Sequence, residues 1–445
     1  MKIRRSFAML IALALLLSAV CSVPGAWIGA ALAEEDAEEQ VLVFKTPEFQ
    51  AGFSDYTLAE AFNRTHSGKK IVVEELPDER LIATEIMSGE ADYMINGYSL
   101  DPFKYSTSGQ FYDIYGWMDA DPDFHREDYY ENLFTAMEYD GHLYAMPAVF
   151  TFENVIYLNE TIAEALGASY QPLDAITPLE ILDLYEGAKA QGLMSDDTPL
   201  IFEDVGAPGM VFTSTEYTSY VDLSAKTTNF STSEFIAFLE RMKQVYSQRR
   251  MEDGWKDADH SFSEAVTRRE TSSLLTFDLI GTAPNASLQG GLDGTPDGLM
   301  GPLVLHPDNG EGAAYAAQVY MVPKSCSNPE LAWEYLKFCI SPLDTANGET
   351  PSTMDKTALG FGFPLSRENM ALYAKAYKSF GSADFDASLV KLEDRIGDIR
   401  IFHYYTNGLR DVLTPVLEQY FDYGSITAEE CAKQMDERAY LYLNE

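Results

Sequence analysis

The segment Asp140-Gly141-His142-Leu143-Tyr144-Ala145-Met146-Pro147-Ala148-Val149-Phe150-Thr151-Phe152-Glu153-Asn154-Val155-Ile156-Tyr157-Leu158-Asn159 decides how the rest of the chain is read. Asp140-Gly141 is a turn dipeptide between aromatic and apolar residues, so it marks a tight connection into a strand. Pro147 fixes φ and removes a backbone donor, which bars a strand from running through it as a central ladder member. Beyond it come Phe150, Phe152 and the carboxylate of Glu153, then a second apolar strand from Val155 to Leu158. Two strands joined by an irregular aromatic segment suit a hinge between two lobes. The same pattern also serves an ordinary strand–loop–strand in another α/β protein.

The ends of the chain bear on its compartment. Lys2, Arg4 and Arg5 precede an apolar run from Phe7 to Leu17, and Ala31-Leu32-Ala33 is a small-x-small cleavage site before Glu34, so residues 1–33 read as a signal peptide. The apolar run is short for a transmembrane span. Cys21 offers a competing reading, a lipid-modified cysteine, although Val20 is larger than lipoprotein processing prefers. Both readings place the mature chain outside the cytoplasm. Its length suits two or three domains. The full chain of 445 residues carries a formal charge of −39, and the signal holds three basic residues and no acid, so the mature protein is more acidic still. Nucleic acid and anionic membrane surfaces attract through Lys and Arg, and both are disfavoured as partners. Three cysteines remain after the signal. Cys326 and Cys339 flank a helix and lie about 15 Å apart along it, too far for a disulfide, so free thiols are expected.

Taken in order, Glu34–Glu39 form an acidic lead-in, and Val41–Phe44 is a short, continuously apolar strand of the parallel-sheet kind. A helix near Asp55–His66, a strand at Ile71–Val73, a helix capped by Asp78 and a strand at Asp92–Ile95 complete a βαβαβ unit. Asn159 can cap a short helix to Leu166. Thr177-Pro178-Leu179-Glu180, Ser231-Thr232-Ser233-Glu234 and Thr427-Ala428-Glu429-Glu430 each carry the pattern that opens a helix. Strands are expected at Ser273–Phe277, Leu303–Leu305 and Ala314–Val322. Asn328-Pro329-Glu330 starts a helix with Trp333, Leu336 and Ile340 on its core face, and a helix around Leu409–Phe421 precedes the last one.

Several of these stretches resemble one family. Asp140-Gly141, Tyr144-Ala145, Pro147 and Tyr157-Leu158-Asn159 are similar to the crossing segment of the extracellular solute-binding proteins of ABC importers, the group that contains the maltose-binding protein. Ser88-Gly89-Glu90-Ala91-Asp92 resembles that family's turn before the third strand, with Ala91 where Pro is usual. Gly109-Gln110-Phe111-Tyr112-Asp113-Ile114 and Ser327-Asn328-Pro329-Glu330-Leu331-Ala332-Trp333-Glu334-Tyr335-Leu336-Lys337-Phe338 resemble two further segments, in the family's order. The resemblance implies a two-lobed α/β fold of the periplasmic-binding-protein type, each lobe a mostly parallel sheet flanked by helices. Residues 34–147 and 314–356 would form the N-terminal lobe, and 148–313 and 357–445 the C-terminal lobe. It also implies a monomer that captures a small solute, an oligosaccharide, and delivers it to the membrane subunits of an ABC transporter.

The searches for catalytic motifs return nothing: no G-x-S-x-G, no phosphate loop, no G-x-G-x-x-G and no H-E-x-x-H. Asp119, Asp121, Asp123 and Asp128 resemble a calcium loop only in acid density. His142 and His306 fall in turns, which suggests surface placement. No cofactor is called for. Ligands of open α/β sheets sit outside the carboxyl ends of strands, at the switch point. That rule selects Glu48 and Phe49 after the first strand, Asn96 and Tyr98 after the third, and Phe277 with Asp278. The crossing segments add Phe150, Phe152, Glu153, Phe361 and Phe363, and Trp255 lies in a polar stretch. In the family, aromatic faces stack on sugar rings while carboxylates and amides bond their hydroxyls, and the resemblance implies that role here. The same residue types suit a polyamine or other cationic solute through cation–π contacts. A glycan hydrolase would need two carboxylates about 5 to 9 Å apart.

Overall fold

The computed structural model describes residues 39–444 apart from 48–54, 77–78, 98–99, 107, 153–154, 195–216, 224, 247–274, 279–298, 309–310, 342–362, 372–384 and 404–407. The signal segment and Cys21 therefore lie outside the described residues. Strand and helix alternate from the start as β1 (Gln40–Thr46), α1 (Tyr56–Thr65), β2 (Lys69–Glu75), α2 (Glu79–Ser88) and β3 (Met94–Asn96). Three short helices follow, α3 (Pro102–Ser106), α4 (Ile114–Ala120) and α5 (Glu131–Thr135), before β4 (Ala145–Phe152). Next come β5 (Val155–Asn159), α6 (Glu160–Ala165), β6 (Ala175–Ile176), α7 (Pro178–Ala190), the small hairpin β7 (Val221–Asp222) and β8 (Thr227–Thr228), and α8 (Ser233–Tyr246). After β9 (Leu275–Asp278), β10 (Leu299–Leu305), β11 (Gly312–Met321) and α9 (Pro329–Ile340), the chain ends with β12 (Phe363–Pro364), α10 (Phe385–Asp398), β13 (Ile399–His403), α11 (Gly408–Phe421) and α12 (Ala428–Asn444).

Helix starts follow their side chains. Asn159 accepts from the Ile162 amide, and Thr177 and Glu180 cap each other's backbone reciprocally. Thr427 and Glu430 form the same reciprocal pair, and Asn328 accepts from Leu331 at the start of α9. The box expected at Ser231–Glu234 does not form. The Asp436 carboxylate on α12 takes the Phe230 and Ser231 amides at 2.6 and 2.9 Å, and the Thr232 hydroxyl accepts from Phe235 instead.

The strands build two sheets. The first has the order β12-β4-β11-β3-β1-β2, with β13 also paired to β11; the second has the order β6-β10-β5-β9. β1 and β3 run parallel, but β11 runs antiparallel to both β3 and β4, and β5 antiparallel to β9 and β10. Both sheets are thus mixed rather than mostly parallel, because the strands that carry the chain between lobes return against their neighbours. Contrary to the sequence reading, β4 runs straight through Pro147, which sits opposite Val319. β12 pairs with β4 only at Phe150 and Val149, so at Pro147 the strand has a ladder on the β11 side alone. The register also shifts between Gln318 and Val319, and edges and bulges are where proline is tolerated in a sheet.

Each sheet has its own core. Phe44 meets Tyr320 edge-on at 5.3 Å, and Tyr335 of α9 packs against both Phe44 and Phe62. Trp333 and Trp117 cover this first core, and the Trp333 indole donates to Asp121 at 2.9 Å. Phe230, Phe235, Phe238 and Leu239 belong to a second core with Leu413, Leu417 and Met435. The C-terminal part of the chain is divided differently from the sequence expectation. Phe363, Leu365, Met370, Leu392, Ile396 and Phe402 join the first core, since β12 and β13 pair with β4 and β11, and the second core resumes at Leu409. The chain therefore passes between the two cores after β4, after β10 and after β13. His306, just past β10, is buried at 6% exposure rather than on the surface, and burial pushes its imidazole pKa down.

Cys326, Cys339 and Cys431 are free thiols. Among the described residues no helix is long and apolar enough to cross a membrane, and no group of three or more His, Cys, Asp or Glu could hold a metal ion. In the acidic stretch at the end of α4, Asp119 pairs with Arg126 and Asp121 with Lys337.

Candidate functional site

β1 is followed in space by β2 on one side and β3 on the other, so the switch point of the first sheet lies between β1 and β3. Thr46 ends β1, Asn96 ends β3, and Asp55 stands at the start of α1; all three are fully buried. Thr46 Oγ1 donates to Asp55 Oδ2 at 2.5 Å and Asn96 Nδ2 donates to the same oxygen at 3.0 Å. The Tyr320 hydroxyl reaches Asp55 Oδ1 at 3.0 Å, with Gln318 Nε2 at 3.5 Å. Burial raises the Asp55 pKa, against the opposing pull of its Thr46, Asn96 and Tyr320 hydrogen bonds. This cluster is a floor rather than an opening.

Among the described residues, an opening lies between the two cores. A cleft of about 560 Å³ is walled on the first-core side by α3, the Ala136–Tyr139 segment and β13, and on the other by Ser219–Leu223 and Thr227–Asn229. Ligand sites commonly occupy about 300 to 1,000 Å³. Two tyrosines, Tyr139 and Tyr220, face it together with Glu138, Asp222, Asn229, Glu311 and Arg400. The Ser219 hydroxyl also lines it, buried and with no hydrogen-bond partner among the described residues. A buried hydroxyl without a partner is costly, and a bound polar molecule would relieve that cost.

Tyr139 is placed by the Asp140-Gly141 turn. Asp140 and Gly141 have φ of +50° and +76°, and Tyr139 and His142 exchange hydrogen bonds of 2.9 and 3.0 Å. Positive φ at both central residues is the type I′ geometry that Asp-Gly favours. Asp113 anchors the turn from below, accepting from the Leu143 amide and meeting His142 Nδ1 at 2.8 Å. Tyr220 is held from behind by Phe230 and Phe235.

Residues 46–344, about two thirds of the chain, match the family model described as bacterial extracellular solute-binding protein. The chain belongs to that family. Comparison with curated protein sequences gives no match. Among solved structures, this solute-binding protein is similar to the sugar-binding protein MalE from Xanthomonas citri, with a TM-score of 0.60 and 13% identity over 91% of this chain and 98% of that one. It is also similar to an extracellular solute-binding protein of family 1 from Alicyclobacillus acidocaldarius, at TM-score 0.57 and 14% identity, covering 91% and 98% of the two chains. An ABC substrate-binding protein from Listeria monocytogenes in complex with cycloalternan aligns at TM-score 0.56 and 13% identity over 91% and 99%. At such identities the likeness establishes the two-lobed fold.

Of the site residues expected from sequence, Glu48, Phe49, Tyr98, Glu153 and Trp255 lie outside the described residues, as does Phe361. Phe277 and Asp278 are described by backbone alone, at the end of β9 opposite Ile156 and Val155. Asn96 is in the buried cluster under the switch point. Phe150, Phe152 and Phe363 do come together, with Phe363 5.7 and 5.8 Å from the other two rings. They are at most 2% exposed, however, and belong to the first core, where β4 is sandwiched between β11 and β12. Sequence reasoning passed over Tyr139, Tyr220 and the acids beside them. Tyr139 had a legible signal, since it immediately precedes Asp140-Gly141; the Ser219–Asn229 wall had none beyond its clustered Ser, Thr and Asn.

Proposed function

We propose that this solute-binding protein captures a carbohydrate, an oligosaccharide, in the cleft between its lobes and delivers it unaltered to the membrane subunits of an ABC importer. The observation that carries the reading is the cleft wall itself: two tyrosine rings beside carboxylates, an amide, a guanidinium and the Ser219 hydroxyl, which has no partner among the described residues. Apolar ring faces cover the C–H face of a pyranose, while the polar groups bond its hydroxyls. The Xanthomonas relative, a sugar-binding protein, and the Listeria relative, solved with cycloalternan, support the choice of sugar.

A cationic solute is the second reading, favoured by three carboxylates, Glu138, Asp222 and Glu311, against the guanidinium of Arg400 and the Lys226 ammonium near Tyr139. A thermal-shift panel of neutral oligosaccharides and polyamines separates the two. A solute binding only the folded protein adds about 2.7 kcal/mol of stability at a hundred times its dissociation constant. Stabilisation by an oligosaccharide that is recovered intact by chromatography is the expected result. Stabilisation by amines alone, lost at high salt, moves the assignment to cations, and sustained turnover of the sugar contradicts a binding function.

A further inference from the structure

Asp101 joins the two lobes at the rim of the cleft. It follows Leu100, a residue of the first core, and leads into α3, whose Pro102 and Ser106 line the cleft. Its Oδ2 accepts from the Tyr442 hydroxyl at 2.5 Å and from the Gly408 amide at 3.2 Å. Its Oδ1 accepts from the amide of Lys104 at 3.3 Å, which fixes the carboxylate on its own side. Tyr442 lies on α12 and packs against the second core; Gly408 opens α11, and the next residue, Leu409, is part of that core. Among the described residues, one carboxylate of the first lobe is therefore held by two donors of the second.

The approach is close enough to dictate the residue at 408. A Cβ there would stand 2.2 Å from Asp101 Oδ2 and 2.7 Å from the Tyr442 ring. The Gly408 amide is among the first N–H groups of a 14-residue helix, which have no intrahelical acceptor and carry the positive end of the helix dipole. Burial, followed by the Asp101 charge, raises the Tyr442 pKa, which keeps the phenol a donor. A second contact crosses the same cleft, with Lys226 Nζ 5.7 Å from the centre of the Tyr139 ring.

We propose that Asp101, Tyr442 and Gly408 form a latch between the lobes that sets the fraction of closed protein, and with it the affinity for the solute in the adjacent cleft. The proposal rests on the reading of that cleft as the solute site. Apparent affinity scales with the population of the competent state, so releasing the latch weakens binding without removing any solute contact.

Two variants disturb the latch in opposite chemical ways. Tyr442→Phe removes the donor and keeps the ring. Gly408→Ala keeps every hydrogen-bonding group and pushes Asp101 away by steric contact, although alanine normally favours a helix over glycine. Small-angle scattering of the solute-free proteins should show a larger radius of gyration for both than for the wild type. Titration with linear and cyclic α-gluco-oligosaccharides, cycloalternan among them, should show affinity reduced about tenfold, the scale of one hydrogen bond to a charged group. Scattering profiles identical to the wild type in both variants would overturn the latch. Opening with unchanged affinity would overturn its role in binding. A wild type that binds none of the sugars strikes the cleft reading instead, and scattering then decides the latch alone.

Discussion

Asp55 is a buried carboxylate whose four hydrogen-bond partners, Thr46, Asn96, Gln318 and Tyr320, are all neutral. Asp55→Ala removes the acceptor they share and should lower the unfolding free energy by about 3 kcal/mol. Because burial sets the folded pKa above 3.8, the protonated form is the one the fold favours. Its contribution is complete below pH 3.8 and fades as pH rises through the folded value, so the penalty of Asp55→Ala should be largest in acid. Denaturant titrations at several pH values read this directly. Asp121 has the opposite sign. The hydrogen bond from Lys337 is the largest cause of its lowered pKa, against partial burial, with help from the Asp123 amide and Trp333. Its contribution is present above pH 3.8 and lost as pH falls through the folded value, so Asp121→Asn should flatten the loss of stability below pH 3.8. Neither role was legible in sequence. Asp55 meets Gln318 and Tyr320, and Asp121 meets Trp333 and Lys337, only after β11 and α9 return to the first sheet.

At the scale of elements, local punctuation was the most readable feature of the chain. The Asp140-Gly141 turn, the Thr177 and Thr427 caps and the Asn328 start of α9 all depend on residues within four positions of each other, and each forms as its pattern suggests. Gly141 at φ +76° holds a conformation that a Cβ disfavours, so Gly141→Ala should cost about 1 kcal/mol, measured as a lowered melting temperature with the fold retained. The features that misled were those settled by distant partners. Pro147 fits inside β4 because β12, some two hundred residues later, stops short of it. The Ser231 box yields to Asp436, which captures the Ser231 amide that Glu234 was expected to serve, together with that of Phe230.

For the whole molecule, the two-lobed α/β fold was readable because its βαβαβ opening and its return through Asn328-Pro329-Glu330 carry their own signals. The assignment of Phe363–Met370 and Leu392–Phe402 to the first core was not, since it depends on which sheet edge β12 and β13 join. The cleft was hidden for a related reason: besides α3 and β13, its walls are turns and a hairpin of two-residue strands, too short to show a hydrophobic period. The crossing-segment aromatics Phe150, Phe152 and Phe363 are core, while of the tyrosines that face the cleft Tyr139 flanks a turn and Tyr220 ends a 3-10 helix. Reception of a sugar by Tyr139 and its neighbours is tested most directly by titration calorimetry of neutral oligosaccharides against wild type and Tyr139→Ala. Stacking is worth about 1 kcal/mol beyond the area it buries, so at least one sugar should bind the wild type one to one and bind Tyr139→Ala at least tenfold more weakly, at an unchanged melting temperature. Equal affinity in the two proteins, or no sugar bound by the wild type, would contradict it.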